Sequence, residues 1–351
     1  MNCCEKCFSS AYLISIINAD DRSGDCDFCN SKNVSLYAAR ELAPFFRNII
    51  SLYKVDLASN KTIVDSIKLD FEGILDVFDE QVQDLTHLLK EIFVDETDIS
   101  DDFFTSNVSL EKKDVFLNQS SEVQNIWESF KEEIKFRNRY HIENAINLNK
   151  LETFFRHDSF YQTIKKGRVF YRCRISDKEG FPVEKMGNPP TPELATAGRA
   201  NPKGISYLYL TNEIKTSLYE TRATLYDYAC VGEFKAQEDL KVLNLRSIKN
   251  DPIPWSEAEA IEDFLIYIPF IQTLQKEISL PIRKKDKTLD YIPTQYLSEF
   301  IKSLEYDGVE YRSSIYSLGH NLAIFNPDKF KCMKVSVHEI KSITLEHEQI
   351  I

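Results

Sequence analysis

The chain has 351 residues, of which 43 % are hydrophobic and only 10 are glycine, so it can build a sizeable core and divides into roughly two or three domains. Its formal net charge of −12 argues against a general affinity for nucleic acids or for anionic membranes. No apolar run approaches the ~18 residues of a membrane span, and the N-terminus lacks the pattern of a signal peptide, so we expect a cytoplasmic protein.

The first 34 residues contain two pairs of cysteines, Cys4 with Cys7 and Cys26 with Cys29. Each pair encloses two residues, and the gap between the pairs is typical of four-thiolate zinc sites. In a reducing compartment such crowding favours a metal over disulfides, and reduced thiols are the alternative. Four protein ligands leave no position for water, so the predicted Zn²⁺ is structural. Cys3 could replace Cys4 in a shifted register.

Residues 35 to about 150 carry the apolar periodicity of helices, with hydrophobic residues three or four positions apart. Ser121 with Gln124 is typical of a capping box and predicts the start of the third helix. An acidic, polar connection from residue 95 to about 119 is expected to form a loop. The three periodic segments are SLYAARELAPFFRNIISLY (35–53), FDEQVQDLTHLLKEIFV (78–94) and SSEVQNIWESFKEEIKFRNRY (120–140).

The pattern changes near residue 165, where short runs of β-branched and aromatic residues begin. The sequence therefore predicts an α+β protein: a cysteine knuckle at 1–34, a helical domain at 35–150 and an α+β domain at 151–351. Helices are expected at 256–278 and 294–304. Strands are expected at 168–175, 205–211, 228–236, 240–245, 308–314, 321–326 and 331–338.

The stretch GRANPKGISYLYLTNEIKTSLYE places Arg199, Tyr209 and Glu220 around one predicted strand-to-helix turn. A guanidinium group matches two phosphate oxygens, and the glycines around the arginine permit close approach of the backbone to a ligand. A carboxylate beside a bound pyrophosphate fits chemistry at a ribose carbon, because it stabilises an oxocarbenium-like cation. These residue types predict an anion-binding site next to a stabilised cation.

Together with FYRCRI (170–175) and YRSSIYSLGHNLAIFNP (311–327), this stretch resembles the RES-domain family, which is named for arginine, glutamate and serine. The resemblance covers about residues 150 to 340. It implies a fold related to ADP-ribosyltransferase toxins and a toxin of a toxin–antitoxin pair that consumes NAD⁺. Such enzymes cleave the nicotinamide–ribose bond by hydrolysis or phosphorolysis. The N-terminal half resembles the HEPN-like helical domain that precedes some RES domains, cysteine knuckles included.

The resemblance also implies roles for individual residues in binding and cleaving NAD⁺. The family's first arginine corresponds to Arg172, with Arg174 as the alternative, and binds phosphate. Its second arginine corresponds to Arg199, and its strand tyrosine, which orients the nicotinamide riboside, corresponds to Tyr209. Its central glutamate corresponds to Glu220, which holds ribose hydroxyls and stabilises positive charge as nicotinamide leaves.

The family's serine corresponds to Ser313 or to the adjacent Ser314, and Asn321 is expected to support the pocket. One alternative function is transfer of ADP-ribose to a macromolecule. Another is a partner-binding module whose RES domain is inactive. Because an unrestrained NAD⁺ consumer would harm its host, we expect an antitoxin or another inhibitory partner, or autoinhibition by the N-terminal half. The sequence leaves the oligomeric state open.

Overall fold

The computed structural model describes residues 1–69, 77–143, 145–187, 191–246, 253–255, 258–280 and 288–343. The chain forms two compact units. The N-terminal unit consists of Met1–Asn125 and Lys249–Ile271, and the C-terminal unit consists of Ile126–Ile248 and Gln272–Ile351. The domain boundaries at residues 34 and 150 remain a prediction from the sequence. No helix in these described ranges is long and apolar enough to cross a membrane.

The helices are α1 (Ala11–Asn18), α2 (Ala43–Ile50), α3 (Ile63–Leu69), α4 (Leu85–Ile92), α5 (Lys113–Phe136), α6 (Leu148–Arg156), α7 (Ile214–Glu220), α8 (Ala258–Ser279) and α9 (Ile292–Ser303). Six of the helices described in the structure overlap segments predicted to be helical, and α7, α8 and α9 end within one residue of the prediction, whereas α1, α3 and α6 were not predicted. The strands are β1 (Asn2–Cys4), β2 (Ser23–Gly24), β3 (Val34–Ala38), β4 (Tyr53–Val55), β5 (Val108–Leu110), β6 (Tyr161–Ile164), β7 (Val169–Ser176), β8 (Leu208–Thr211), β9 (Tyr228–Ala236), β10 (Leu240–Asn244), β11 (Gly308–Arg312), β12 (His320–Ile324) and β13 (Phe330–Glu339).

Helix α5 begins earlier than the sequence predicts. Its first residue is Lys113, so Ser121 lies inside the helix and does not cap it. The Ser121 hydroxyl donates instead to the carbonyl of Leu117, 2.8 Å away and four residues earlier. Serine hydroxyls in helix interiors commonly bond in this way, so the capping-box prediction is wrong.

The N-terminal unit is not purely helical, which corrects the expectation for residues 35–150. Strands β1, β3 and β2 form a small antiparallel sheet, and β4 pairs with β5. In β3, Val34 and Leu36 are buried while Ser35 and Tyr37 are partly exposed, which is the alternation of a half-buried strand. Strand β3 has only five residues, and the helical periodicity of the residues that follow it extends over the same segment, so the sequence pattern does not reveal the strand.

The C-terminal unit is built on a mixed sheet of eight strands in the order β13-β9-β7-β8-β12-β11-β10-β6. Neighbouring strands are antiparallel except for the parallel pair of β10 and β11. All seven strands predicted in this half are present, with ends shifted by at most three residues, whereas β6 was not predicted. The α+β prediction for this half is confirmed.

Strands β7 and β8 meet at a single residue pair, Tyr171 with Thr211. By contrast, β7 pairs with β9 along its whole length. The sheet is therefore nearly divided between β7 and β8, and α7 follows directly on β8. The apolar side chains of the strands form a continuous core that includes Phe170, Met186, Leu208, Leu210, Phe234, Leu322 and Ile324.

Candidate functional site

A cavity of about 550 Å³ opens in the C-terminal unit where β7 and β8 separate. Its volume lies within the range of small-molecule sites. The residues that line it come from β7, β8, β11, β12, helix α7 and the connecting loops. They are Tyr171, Arg172, Cys173, Gly198, Arg199, Tyr209, Leu210, Thr211, Ser217, Glu220, Thr221, Arg222, Tyr291, Tyr311, Ile315 and Asn321.

The carboxylate of Glu220, at the end of α7, is fixed by two side chains. Its Oε1 accepts hydrogen bonds from Ser313 Oγ and from Asn321 Nδ2, both at 2.7 Å. Ser313 and Asn321 are each 5 % exposed. Among the described residues no hydrogen bond reaches Glu220 Oε2. One carboxylate oxygen is therefore held by the protein, and the other is available to a ligand.

The turn after β11 determines which serine reaches Glu220. Ser313 Oγ also accepts from the backbone amide of Tyr316, at 3.1 Å, and the Ser313 amide donates to Gly319 O at 3.0 Å. A Cβ on Gly319 would lie 2.2 Å from Thr216 Oγ1 of α7, so this turn can pack closely against the helix only with glycine there. The neighbouring Ser314 is exposed and lies outside the cavity lining.

The hydroxyl of Tyr209 is bound within the loop that carries Arg199. It donates to Asn201 Oδ1 at 2.6 Å and accepts from the amide of Ala200 at 3.0 Å. Burial raises the pKa of Tyr209, so the phenol stays protonated. A Cβ on Gly198 would lie 2.6 Å from the same hydroxyl. Tyr209 therefore lines the cavity with its ring and uses its hydroxyl to shape the loop.

Arg199 lies in the cavity wall and is held at both ends. Its Nη1 donates to the carbonyl of Ser279 at 2.7 Å, and its own carbonyl accepts from Thr294 Oγ1 at 2.7 Å. Only one of the five guanidinium N–H groups is needed for the bond to Ser279. The group is therefore oriented by the protein and retains donors that can face an anion in the cavity.

Arg172 and Arg174 differ in their access to the cavity. Both guanidinium groups donate to one loop, Arg172 to Gly187 O at 2.9 Å and Arg174 to Lys185 O at 2.6 Å. Arg172 lines the cavity, and its burial, with a smaller contribution from Arg174, lowers its pKa to about 10. Arg174 is exposed and stacks on Phe181 at 4.7 Å. Of these two arginines, Arg172 is the one that can contact a ligand in the cavity.

Among the lining residues that sequence reasoning missed, four carry an aromatic ring or a guanidinium group: Tyr171, Arg222, Tyr291 and Tyr311. Arg222 lies two residues after the end of α7 and has a left-handed φ of 55°, which is uncommon for a residue with a side chain. Tyr311 lies two residues before Ser313 on β11, so its position on a predicted strand was the available signal. Tyr291 lies immediately before α9, and no motif or predicted strand in the surrounding sequence marks it as a cavity residue.

The four predicted cysteine ligands converge in the N-terminal unit. The Sγ atoms of Cys4, Cys7, Cys26 and Cys29 all lie within 4.8 Å of one another, and three pairs are separated by 3.4 to 3.9 Å. A tetrahedron with Zn–S bonds of ~2.3 Å has S–S edges of roughly 3.8 Å, so this cluster could hold a metal ion. The Cys3 thiol points elsewhere, to Tyr37 O at 3.4 Å.

The chain has no strong similarity to any single protein described below. No curated protein matches the chain. A chain in the crystal structure of the MbcT–MbcA toxin–antitoxin complex of M. tuberculosis is similar with a TM-score of 0.30 and 12 % sequence identity. The similarity covers 55 % of this chain and 91 % of that chain. Likeness at this level carries no argument about function.

The family comparison is more informative. The model of the RES domain matches residues 169–346, which is 178 of the 351 residues and therefore just over half of the chain. Every residue that lines the cavity falls within this range. The chain therefore belongs to the RES-domain family.

Proposed function

We propose that the C-terminal unit is an enzyme that consumes NAD⁺ by cleaving the bond between nicotinamide and ribose. The observation that carries this proposal is the Glu220 carboxylate, fixed through Oε1 by Ser313 and Asn321 in a cavity that also contains Arg199 and Arg172. A preorganised carboxylate is suited to stabilising developing positive charge on a ribose carbon. Membership of the RES-domain family supports NAD⁺ as the substrate.

In this mechanism Glu220 acts on the ribose that carries nicotinamide. Its Oε2 accepts hydrogen bonds from ribose hydroxyls and stabilises the cation that forms as the C1′–N bond breaks. The bonding electron pair leaves with nicotinamide, which departs as a neutral molecule. In hydrolysis, water forms the new bond to C1′ and releases one proton to solvent. In phosphorolysis, an oxygen of inorganic phosphate forms that bond instead. Ser313 and Asn321 are positioning residues, because they orient the carboxylate.

The arginines bind the other end of the substrate. Arg199, oriented by Ser279 O and Thr294, donates to pyrophosphate oxygens, and Arg172 adds a second positive charge. Charge-assisted hydrogen bonds from guanidinium groups are strong and directional. They fix the distance between the phosphates and Glu220, so the reacting carbon is held beside the carboxylate.

Mass spectrometry of NAD⁺ incubated with the purified protein tests the proposal. We expect free nicotinamide together with ADP-ribose in hydrolysis, or with a phosphorylated ADP-ribose that appears only when phosphate is added. If NAD⁺ labelled in its ADP-ribose part leaves the label on a protein or nucleic acid, the reaction is ADP-ribosyl transfer. If no nicotinamide is released under any of these conditions, the C-terminal unit is not an NAD⁺-cleaving enzyme, and a partner-binding module becomes the better interpretation.

Adjacent serines provide a matched test of the site. Ser313→Ala removes one of the two hydrogen bonds that hold Glu220, so we expect nicotinamide release to fall by about tenfold or more. Ser314→Ala changes an exposed residue outside the cavity lining and should leave the rate within about twofold of wild type. Initial rates measured by chromatography decide between them. The opposite ranking would assign the functional serine to position 314.

We further propose that the four-cysteine cluster of the N-terminal unit binds Zn²⁺ in a structural role. Three of the sulfur–sulfur distances, 3.4 to 3.9 Å, lie near the edge length of a tetrahedral zinc–thiolate site. The resemblance of residues 35–150 to HEPN-like domains remains a prediction.

An enzyme that consumes NAD⁺ requires restraint in the cell that makes it, so we propose an antitoxin or another inhibitory partner that covers the cavity. Expression of the chain alone should then deplete cellular NAD⁺ and arrest growth, and a variant without the Glu220 carboxylate should do neither. Growth and NAD⁺ content after induction provide the measurement. If expression is harmless while the purified chain is fully active, no such partner is needed.

A further inference from the structure

Tyr311 is a buried tyrosine of the cavity wall for which the mechanism above has no role. Strand β11 carries it opposite Asn321 of β12, and paired residues of an antiparallel sheet face the same side. The side chain is 2 % exposed and lines the cavity. Its position beside Asn321 brings it next to the side chain that holds Glu220.

The Tyr311 hydroxyl has no hydrogen bond to any part of the chain that the structure describes. Two other tyrosine hydroxyls of this unit have partners within the protein. Tyr209 binds Asn201 and Ala200, and Tyr306 donates to the carbonyl of Phe155. Buried hydroxyl groups normally find a partner, because leaving one unsatisfied is unfavourable. At the wall of a cavity, the missing partner is best supplied by what the cavity binds.

The charges around Tyr311 indicate which part of a ligand it would meet. Burial raises the pKa of Tyr311, Arg199 lowers it, and Glu220 and Tyr291 raise it. The phenol therefore lies within electrostatic reach of both the arginine and the glutamate. It stays protonated at neutral pH and so acts as a hydrogen-bond donor.

We propose that Tyr311 is a substrate-contacting residue whose phenol donates a hydrogen bond to an oxygen of the ribose–phosphate portion of the ligand, between Arg199 and Glu220. This inference rests on the proposed function, in which Arg199 binds the pyrophosphate and Glu220 the ribose. The contacted oxygen is not bonded to the departing nicotinamide, so we expect the contact to contribute to substrate binding more than to bond cleavage.

Tyr311→Phe tests the proposal, because it removes the hydroxyl and keeps the ring. We expect ADP-ribose to bind about tenfold more weakly by calorimetry, and KM for NAD⁺ to rise by a similar factor with kcat nearly unchanged. The matched control is Tyr207→Phe. Tyr207 is also buried, and its hydroxyl has no partner among the described residues, but it lies outside the cavity lining. This control should leave binding and KM unchanged.

Two results would overturn the proposal and can be distinguished from each other. If Tyr311→Phe binds ADP-ribose as tightly as the wild-type protein does, the hydroxyl contacts only water. If the wild-type protein neither binds ADP-ribose nor cleaves NAD⁺, the proposed function itself fails and the role of Tyr311 falls with it. Thermal unfolding of both variants shows whether the fold is intact. If Tyr207→Phe also binds ADP-ribose more weakly, the loss of any buried hydroxyl has a general structural effect, and the result for Tyr311→Phe does not show a contact with the ligand.

Discussion

Replacing Glu220 with glutamine is expected to reduce nicotinamide release by about 10³-fold, since the neutral amide no longer stabilises a cationic transition state. Glutamine has nearly the same shape as glutamate, and its amide oxygen can still accept from Ser313 and Asn321, so the variant should fold normally. Its amide nitrogen cannot accept from the ribose hydroxyls, so NAD⁺ should bind about tenfold more weakly, a far smaller loss than that of catalysis. Release of nicotinamide, measured by chromatography, and NAD⁺ binding, measured by calorimetry, separate the loss of catalysis from a loss of binding.

The control for this change is Glu238→Gln, which removes a carboxylate from the same unit. Glu238 forms an exposed ion pair with Lys329 and lies outside the cavity lining, and exposed ion pairs contribute little to stability. Its activity should equal that of the wild-type protein. If Glu220→Gln cleaves NAD⁺ as fast as this control, the carboxylate has no catalytic role and another group must stabilise the transition state.

The sequence identified Arg199, Tyr209 and Glu220 together because they belong to one local unit of loop, strand and helix. Within 23 residues the geometry depends mainly on local rules for turns and helices. Ser313 and Asn321 lie 93 and 101 residues from Glu220. Their approach depends on the pairing of β11, β12 and β8, which no local pattern determines.

The choice between Ser313 and Ser314 shows the same limit on a finer scale. At the end of a strand, a shift of one residue moves a side chain to the opposite face. In the structure it is Ser313 that binds Glu220, in a turn whose Gly319 lies close to Thr216 of α7. Such a contact between two distant segments leaves no signal in the serine dipeptide itself.

The two arginines of β7 cannot be distinguished from the strand sequence alone. Alternation places Arg172 and Arg174 on one face of the strand, and both guanidinium groups do bind carbonyls of the same loop. Which of them reaches the cavity depends on where β7 separates from β8. That separation is a property of the sheet and could not be inferred from the strand sequence.

The second large effect is expected from the cysteine cluster. Cys7→Ser should remove zinc from the protein and destabilise the N-terminal unit by roughly 5 kcal/mol or more, because binding of a structural zinc ion contributes directly to folding. The wild-type protein should contain about one equivalent of zinc, in keeping with four thiolate ligands around one ion. Atomic emission measures the metal, and limited proteolysis within residues 1–125 reports the stability of the unit.

Cys3→Ser is the matched control for the zinc site. Cys3 is as buried as Cys7, but its thiol donates to Tyr37 O and lies outside the cluster. A serine hydroxyl can make the same bond, so this variant should keep its zinc and lose only about 1 kcal/mol of stability. If Cys7→Ser and Cys3→Ser have equal zinc content and equal protease resistance, the four-cysteine cluster does not bind a metal that stabilises the N-terminal unit. Treating the wild-type protein with a chelator should make it as sensitive to protease as Cys7→Ser, because both changes remove the ion that joins the two cysteine pairs.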